Sequence, residues 1–257
     1  MTYPKVALRD QDLLASIREI KSEHPFWGYR RVANFLRCVK KVTVNKKRIE
    51  RIMRRHNLQV KPNLRLKAIR TPMKSKPRAS RPNQWWGIDM TKVLIQNFGW
   101  VYIVIVLDWY SKKIVGYHAD IRSKTEHWLK ALDMAVNRQF PNGARGQDLH
   151  LMSDNGCQPT SQKFMEVCAQ LGIHQAFTSY NNPKGNADTE RVNRTMKEEL
   201  VWLREWTSPF VFFKELGTWV EDKYNALYPH STNGGIPPNV FELNYFNSHI
   251  TSRSPAA

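Results

Sequence analysis

The chain has 257 residues, of which 41 % are hydrophobic, and a formal net charge of +18. A chain of this length and apolar content can bury a core, so the composition excludes a wholly disordered protein and a low-complexity fibre. The longest apolar run, residues 100–107, is far shorter than the roughly 20 residues that span a bilayer, and the first residues lack a signal-peptide core. We therefore expect a cytoplasmic protein of one or two domains.

The net positive charge of the chain arises entirely from its first third. Residues 1–84 hold 23 basic and 5 acidic residues, whereas the remainder holds 17 of each. The three cysteines, which form no CxxC pair, favour neither a disulfide framework nor a zinc site. This distribution predicts an N-terminal region that binds nucleic acid, followed by a charge-balanced domain.

Residues 1–58 are predicted to form a helix-turn-helix DNA-binding domain, because apolar residues recur at helical spacing in three short segments. Asp10 is a predicted cap for the first helix and Asn45 for the third. A solvated basic face on a small bundle is the alternative interpretation. Glu50 alone opposes the six cations of the third helix, which we expect to contact DNA: Lys46, Lys47, Arg48, Arg51, Arg54 and Arg55.

Residues 59–84 contain eight basic residues, four prolines and no acid. Proline disfavours a continuous helix or a central strand, so this segment is predicted to be an extended linker. It either follows a DNA backbone or serves as a spacer.

The remaining elements predict a mixed α/β domain over residues 85–246, with a flexible tail at 247–257. Three antiparallel strands are expected at 86–95, 100–107 and 113–118, followed by a helix at 125–140. A strand at 149–152, a helix at 161–171, a strand at 173–178 and a long helix from near Asp188 complete the order βββαβαβα. The predicted fold class is therefore α/β, with a mixed five-stranded sheet and flanking helices.

Three carboxylates lie at positions that suit a two-metal site for phosphodiester chemistry. Asp89 lies inside the first strand, Asp154 follows the fourth strand, and Glu190 lies in the first turn of the long helix. Each acid has an ordinary alternative explanation. Asp89 could be a charge that protects an edge strand, Asp154 could stabilise a turn through its own side chain, and Glu190 could interact favourably with the helix dipole. Three such coincidences are much less probable than one, so we interpret the three together as a site.

The helix that carries Glu190 has two stripes. An apolar stripe of Val192, Met196, Leu200 and Leu203 is expected to pack inward. The other stripe contains Glu190, Asn193, Arg194 and Lys197, whose polar side chains are expected to hold metal and to contact DNA phosphates. An exposed polar face is the alternative.

The chain resembles the DDE transposases of the two-frame insertion-sequence group, whose catalytic domain is of the retroviral-integrase type with an RNase H-like fold. The segments that carry the resemblance are 27–31 (WGYRR), 86–91 (WGIDMT), 106–116 (VLDWYSKKIVG), 153–156 (SDNG), 184–190 (KGNADTE), 197–200 (KEEL), 224–225 (YN) and 229–231 (PHS). Thirty-five residues separate Asp154 from Glu190, as in the D,D(35)E pattern. Met152 and Pro159 depart from the pattern, and the histidines and single cysteine of residues 1–58 cannot supply the zinc set of retroviral integrases.

The resemblance implies an orfB-type product in which Asp89, Asp154 and Glu190 bind Mg²⁺, with Mn²⁺ as a substitute, and Lys197 contacts the DNA end. It implies an insertion-sequence transposase that performs DNA cleavage and strand transfer on double-stranded DNA, as a homo-multimer on paired ends and in association with the nucleoid. An upstream-frame helix-turn-helix protein is a further expected partner or fusion. Asp108 and Asp188 are interpreted as structural acids.

Two other functions remain open from the residues. One is a DNA-binding regulator derived from a transposase, and the other is an RNase H-like nuclease that hydrolyses DNA without joining it. A metal-dependent nicking assay separates the regulator from the enzymes, and an assay for joined products separates the two enzymes.

Overall fold

The computed structural model describes residues 4–60, 77–178 and 185–251. The chain divides into two compact units, one of Met1–Thr71 with Leu227–Pro237 and the other of Pro72–Ala226 with Pro238–Ala257. Most of the predicted linker lies outside the described residues, and the predicted boundaries at 58, 84 and 246 stay a prediction. Nothing in the sequence pattern indicated that residues 227–237 group with the N-terminal helices.

Three helices form the N-terminal unit: α1 (Pro4–Glu23), α2 (Tyr29–Cys38) and α3 (Lys46–Arg55). The apolar residues at helical spacing are buried, among them Ile17, Val32 and Ile49. The predicted small helical domain is therefore confirmed. Asn45 caps α3, since its side chain accepts a hydrogen bond from the backbone N–H of Lys47 at 2.9 Å.

The predicted cap at Asp10 is wrong, because α1 begins at Pro4 and places Asp10 in its interior. The two carboxylate oxygens of Asp10 instead pair with Arg48 at 2.8 Å and with Arg51 at 3.0 Å. Burial acts to raise the pKa of Asp10, but the hydrogen bonds and charges of the two arginines outweigh it and lower the pKa. This acid therefore joins α1 to α3.

The segment Leu227–Pro237 supplies part of the packing of the N-terminal unit. Tyr228 lies edge-on to Trp27, with ring centroids 5.8 Å apart, and the Arg31 guanidinium lies 4.9 Å from the Tyr228 ring centroid. The Arg37 guanidinium donates to the carbonyl of Gly234 at 3.1 Å. Residues from the two ends of the sequence thus build one unit.

A five-stranded sheet forms the centre of the second unit, in the order β3-β2-β1-β4-β5. Its strands are β1 (Trp85–Ile95), β2 (Gly99–Asp108), β3 (Ile114–Asp120), β4 (His150–Ser153) and β5 (His174–Phe177). The first three are antiparallel, whereas β4 pairs in parallel with β1 and with β5. The predicted mixed five-stranded sheet is confirmed.

Helices cover both faces of this sheet. The helices α4 (Thr125–Gln139) and α5 (Gln162–Gln170) pack on one face over a core that includes Trp86, Ile88 and Trp128. Since side chains alternate along a strand, Gly87 and Asp89 face the other side, where α6 (Ala187–Glu199) contacts β1 and β2. The acid-bearing helix is thereby set against the strand that carries Asp89.

The C-terminal part of the chain is helical. It contains a 3₁₀ turn (Val201–Leu203), α7 (Pro209–Thr218), a π-helical segment (Trp219–Asn225), a second 3₁₀ turn (Ser231–Asn233) and α8 (Pro238–Thr251). The side-chain amide of Asn225 accepts from the N–H of Ile114 and donates to its carbonyl, both at 2.9 Å. Within the described ranges, no helix is long and apolar enough to cross a membrane.

Asp108 is a fully buried acid at the end of β2. Its carboxylate accepts hydrogen bonds from the backbone N–H groups of Asn83, Tyr110 and Ser111 and from the Ser111 hydroxyl, at 2.6–3.1 Å. Three of these donors reach Oδ1 and one reaches Oδ2, so groups of the protein itself hold this fully buried carboxylate. The structural interpretation of Asp108 is thus supported by its contacts.

The Asp108→Asn substitution tests this role. It replaces one acceptor oxygen by a donor that faces backbone N–H groups, so we expect unfolding free energy to fall by about 2–4 kcal/mol. Denaturant unfolding followed by tryptophan fluorescence measures the loss. Asp133→Asn, on the exposed side of α4, is the matched control and should change stability by no more than about 0.5 kcal/mol. Equal values for both variants contradict the role.

Candidate active site

Asp89 lies near the middle of β1 with its carboxylate on the α6 side of the sheet. The side-chain amide of Asn193, on α6, donates to Asp89 Oδ2 at 2.8 Å. Asn193 is only 6 % exposed, so this hydrogen bond is shielded from water. Asp89 is therefore held in a defined position between the strand and the helix.

The pairing of β1 with β4 brings Asp154 next to Asp89. Trp86 lies opposite Leu151 and Gly87 opposite Met152 in a parallel register. Extending this register by two residues sets Asp89 level with Asp154, one strand spacing of roughly 4.8 Å away. Asp154 is exposed, and its Oδ1 accepts a hydrogen bond from the N–H of Gly156 at 3.0 Å. Its side chain therefore also stabilises the turn that the sequence suggested as its alternative role.

The start of α6 is fixed to β1 by polar contacts that position Glu190. The Asn186 amide donates to the carbonyl of Ile88 at 3.0 Å, and its Oδ1 accepts from the Thr189 hydroxyl at 2.6 Å. The Trp109 indole N–H donates to the Thr189 hydroxyl at 3.4 Å. Glu190, the next residue, lies one turn before Asn193 on the same side of the helix.

Gly87 makes this close approach possible. A Cβ built at Gly87 would overlap the Thr189 hydroxyl and the Trp109 indole nitrogen and would lie 2.6 Å from Asn186 Oδ1. A larger residue at this position would therefore push the start of α6 away from β1. Sequence reasoning missed this polar network, although a glycine inside a strand is a signal of close backbone approach.

The carboxylates of Asp154 and Glu190 act electrostatically on Asp89. Burial raises the pKa of Asp89 from its ordinary 3.8 to about 6, and the negative charges of Asp154 and Glu190 add to this rise. Hydrogen bonds from the Met90 backbone and from Asn193 oppose it in part. The structure thus brings together the three acids that the sequence singled out.

These three acids offer only oxygen ligands, which is the donor set of a hard divalent cation such as Mg²⁺. A cation would also relieve the mutual repulsion that raises the pKa of Asp89. The residues present therefore fit a bound magnesium ion. A different cluster, of His118, Asp120 and His127, brings possible metal ligands within 4.8 Å of one another; it lies on the α4 side of the sheet, away from Asp89.

The other predicted DNA contacts on α6 have different surroundings. Asn193 is turned inward to Asp89, which is a different role from the predicted DNA contact. Arg194 pairs with Glu198 one turn later at 2.8 Å. Lys197 is half-buried in the last turn of α6, on the side that faces a surface groove. Asp188 pairs with Lys112 at 3.1 Å.

Part of the positive charge of α3 is used within the N-terminal unit. Arg48 and Arg51 pair with Asp10, and Arg54 pairs with Glu50 at 3.4 Å. Five of the six cations are exposed: Lys46, Lys47, Arg51, Arg54 and Arg55. The predicted DNA contacts of this helix stay a prediction, and part of its charge serves to hold the helices together.

Comparison with known proteins agrees with this architecture. Residues 7–65 match the model of an HTH-like domain, and residues 79–183 match the model of an integrase core domain, which includes Asp89 and Asp154 but ends before Glu190. The structure also resembles a chain in a simian T-cell lymphotropic virus intasome. The match covers 93 % of this chain and 75 % of that chain, with a TM-score of 0.52 and 16 % identity, and it is a likeness of fold alone.

Two curated relatives come from bacterial insertion elements. A 31 kDa protein of insertion element IS600 from Shigella sonnei is 30 % identical over 74 % of this chain and 65 % of its own length. The transposase InsD of element IS2 from Escherichia coli is 23 % identical over 90 % of this chain and 78 % of its own length. The chain thus spans about two thirds to three quarters of these relatives.

The helical N-terminal unit and the five-stranded sheet with its flanking helices define an HTH-like domain followed by an RNase H-like integrase core. The chain carries an HTH-like domain and an integrase core domain, and it is similar in sequence to proteins of bacterial insertion elements, among them transposases. The predicted family, its enzymatic class and the predicted fold are confirmed.

Gly87→Ala tests the contact between β1 and α6. The added methyl group must displace the start of α6, so we expect a loss of about 1–3 kcal/mol in unfolding free energy from overpacking. The displacement of Glu190 should also reduce the rise in melting temperature that Mg²⁺ causes. Gly28→Ala, whose Cβ would meet nothing within 4 Å, is the control. Wild-type stability and an undiminished magnesium effect in Gly87→Ala would contradict the arrangement.

Asp89→Asn tests the electrostatics of the site without an activity assay. In the metal-free protein the raised pKa means that the protonated form of Asp89 stabilises folding, and this stabilisation is lost as the pH rises through about 6. Above pH 6 in chelator, the variant should be more stable than wild type by roughly 2 kcal/mol, and near pH 4 the two should converge. Magnesium should reverse the order by binding only the wild type. Thermal unfolding of both proteins across this pH range measures the difference in stability. A wild type that is more stable than Asp89→Asn in chelator above pH 6 would contradict the expected electrostatics.

Proposed function

We propose that this chain is a transposase that cleaves DNA at the ends of its insertion element and joins the freed 3′ hydroxyl to target DNA. The observation that carries the proposal is the meeting of three carboxylates from three separate elements beside one strand of an integrase-type core. The basic HTH-like unit, to which the exposed cations Lys46, Lys47 and Arg55 belong, supports DNA as the substrate.

Asp89, Asp154 and Glu190 would hold Mg²⁺ in this proposal. When bound, Mg²⁺ lowers the pKa of the attacking hydroxyl or water and stabilises the leaving oxygen in an in-line displacement. Asn193 keeps the carboxylate of Asp89 in one orientation through its hydrogen bond. Lys197 supports the same reaction by placing a positive charge for a DNA phosphate on the helix that carries Glu190.

The proposal includes the metal substitute, the assembly state and the partner that the family resemblance implies. Mn²⁺ would substitute for Mg²⁺, because both ions accept carboxylate oxygens. The protein would act as a homo-multimer on paired element ends and associate with the nucleoid, and an upstream-frame helix-turn-helix protein would assist in recognising the ends. The presence of all three acids favours an enzyme over a DNA-binding regulator.

The experiment compares wild type with Asp154→Asn and Glu190→Gln on DNA that contains the element ends. Removal of one carboxylate should lower cleavage and strand transfer by about 100-fold or more while DNA binding is retained, because these acids act in the transition state. Joined products are mapped by sequencing, and chelator should abolish them. Glu198→Gln, an acid on the same helix, is the matched control.

Several results would reject the proposal. Wild-type rates in either acid variant would reject the assignment of the site. Hydrolysis without any joined product would identify a nuclease, and the absence of metal-dependent nicking would identify a regulator.

A further inference from the structure

A groove lies along the second half of β1, beyond the candidate active site. β4 ends at Ser153, so from Asp89 onward β1 has β2 as its only strand neighbour among the described residues. The segment that follows α6 fills the free side, and the N–H of Gln96 donates to the carbonyl of Trp206 at 2.8 Å. Gln96 and Trp206 both line this groove of about 570 Å³.

Aromatic and basic side chains line this groove. Trp100, at the start of β2, is 46 % exposed, and Trp202, in the 3₁₀ turn after α6, is 57 % exposed. Three cations lie beside them, against the single lining acid Glu205: Lys92, Lys197 and Arg204. Lys92 Nζ lies 4.5 Å from the Trp100 ring centroid, and the Arg204 guanidinium lies 4.1 Å from that of Trp206 and also pairs with Glu215.

The position of the groove relates it to the candidate active site. Lys92 follows Asp89 by three strand residues, an odd number, so Lys92 and Trp100 project from the opposite face of the sheet and line the groove at the edge of β1. Lys197 follows Glu190 by two helical turns, so it lies roughly 10 Å along α6 from that acid. This distance corresponds to about three nucleotides of one DNA strand. A strand whose phosphate lies at the acids would therefore reach the groove with its next few nucleotides.

We propose that this groove binds unpaired nucleotides at the end of the DNA substrate, with Trp202 and Trp100 as stacking surfaces and the three cations as phosphate contacts. A base inside a duplex is already stacked on both faces and a terminal base pair offers one free face, so an unpaired base gives an exposed tryptophan the larger stacking contact. Basic grooves with exposed aromatic side chains are characteristic of single-strand binding. The inference rests on the proposed function, and it specifies the state of the DNA at the site.

Fluorescence polarisation with the full-length chain tests this inference. The probes are a fluorescein-labelled blunt duplex and the same duplex with a short unpaired 3′ extension, both in chelator so that no reaction occurs. Trp202→Ala should weaken binding to the extended duplex by about tenfold and leave binding to the blunt duplex nearly unchanged. Trp202→Phe, which retains a stacking ring, should restore most of the difference.

Phe210→Ala is the matched control, since Phe210 is an exposed aromatic residue of α7 outside the groove, 79 % exposed. It should bind both probes as wild type does. Equal loss on both probes, or no loss, in a Trp202→Ala protein that unfolds at the wild-type temperature would overturn the inference. A groove that binds a protein partner instead would give the second of these results.

The outcome is independent of the catalytic assay. If Asp154→Asn and Glu190→Gln react like wild type while Trp202→Ala loses its preference for the extended duplex, the proposed site fails and the groove stands. If the acid variants are inactive and Trp202→Ala keeps the preference, the proposed function stands and the groove inference fails.

Discussion

The close approach of α6 to β1 at Gly87 is the constraint on which the candidate active site depends. Glu190 and Asn193 reach Asp89 only because the strand has no side chain at this position. The contacts of Asn186 and Thr189 then fix the helix against the backbone of Ile88 and the indole of Trp109. The space left by the missing side chain of Gly87 is occupied by the Asn186 and Thr189 side chains of the α6 start, and this packing sets the geometry of the three acids.

The same arrangement lowers the stability of the metal-free protein when Asp89 is ionised. Asp89 is largely withdrawn from water and lies near two other carboxylates, which is an unfavourable environment for a negative charge. Asp108 shows the other way in which this domain keeps a buried acid, since four hydrogen-bond donors surround it. Burial raises the pKa of both acids to about 6, but the groups around Asp108 are hydrogen-bond donors of the protein, whereas Asp89 lies near two further carboxylates.

Local sequence patterns were sufficient for most of the fold. The alternation and β-branched residues of β1 and β2 and the helical spacing in α4 and α6 predicted each element within a few residues. Asp89 and Asp154 were identified because a charge inside a strand or at its end is unusual, and Glu190 because it lies in the first turn of a helix and completes a set of three acids. The predicted cap at Asp10 was wrong and the hydrogen bond of Asn193 to Asp89 was not anticipated, since their partners lie far away in sequence and no local pattern reports such pairing.

The groove beside the 3₁₀ turn illustrates the same limit. Trp100 and Trp202 are about a hundred residues apart in sequence, and neither lies in a motif that predicts a binding surface. The hydrogen bond of Gln96 to Trp206 joins their segments. Surfaces of this kind depend on tertiary contacts, so periodicity and composition do not reveal them.

The packing of Tyr228 against Trp27 and Arg31 has a consequence for how the protein is made. The N-terminal helices emerge from the ribosome before the integrase core, but the unit they form also contains residues 227–237, which are synthesised after that core. During translation this unit remains without its final contacts until the integrase core between its two parts has been made. The helices would then acquire their complete packing only in chains that have been translated past residue 237.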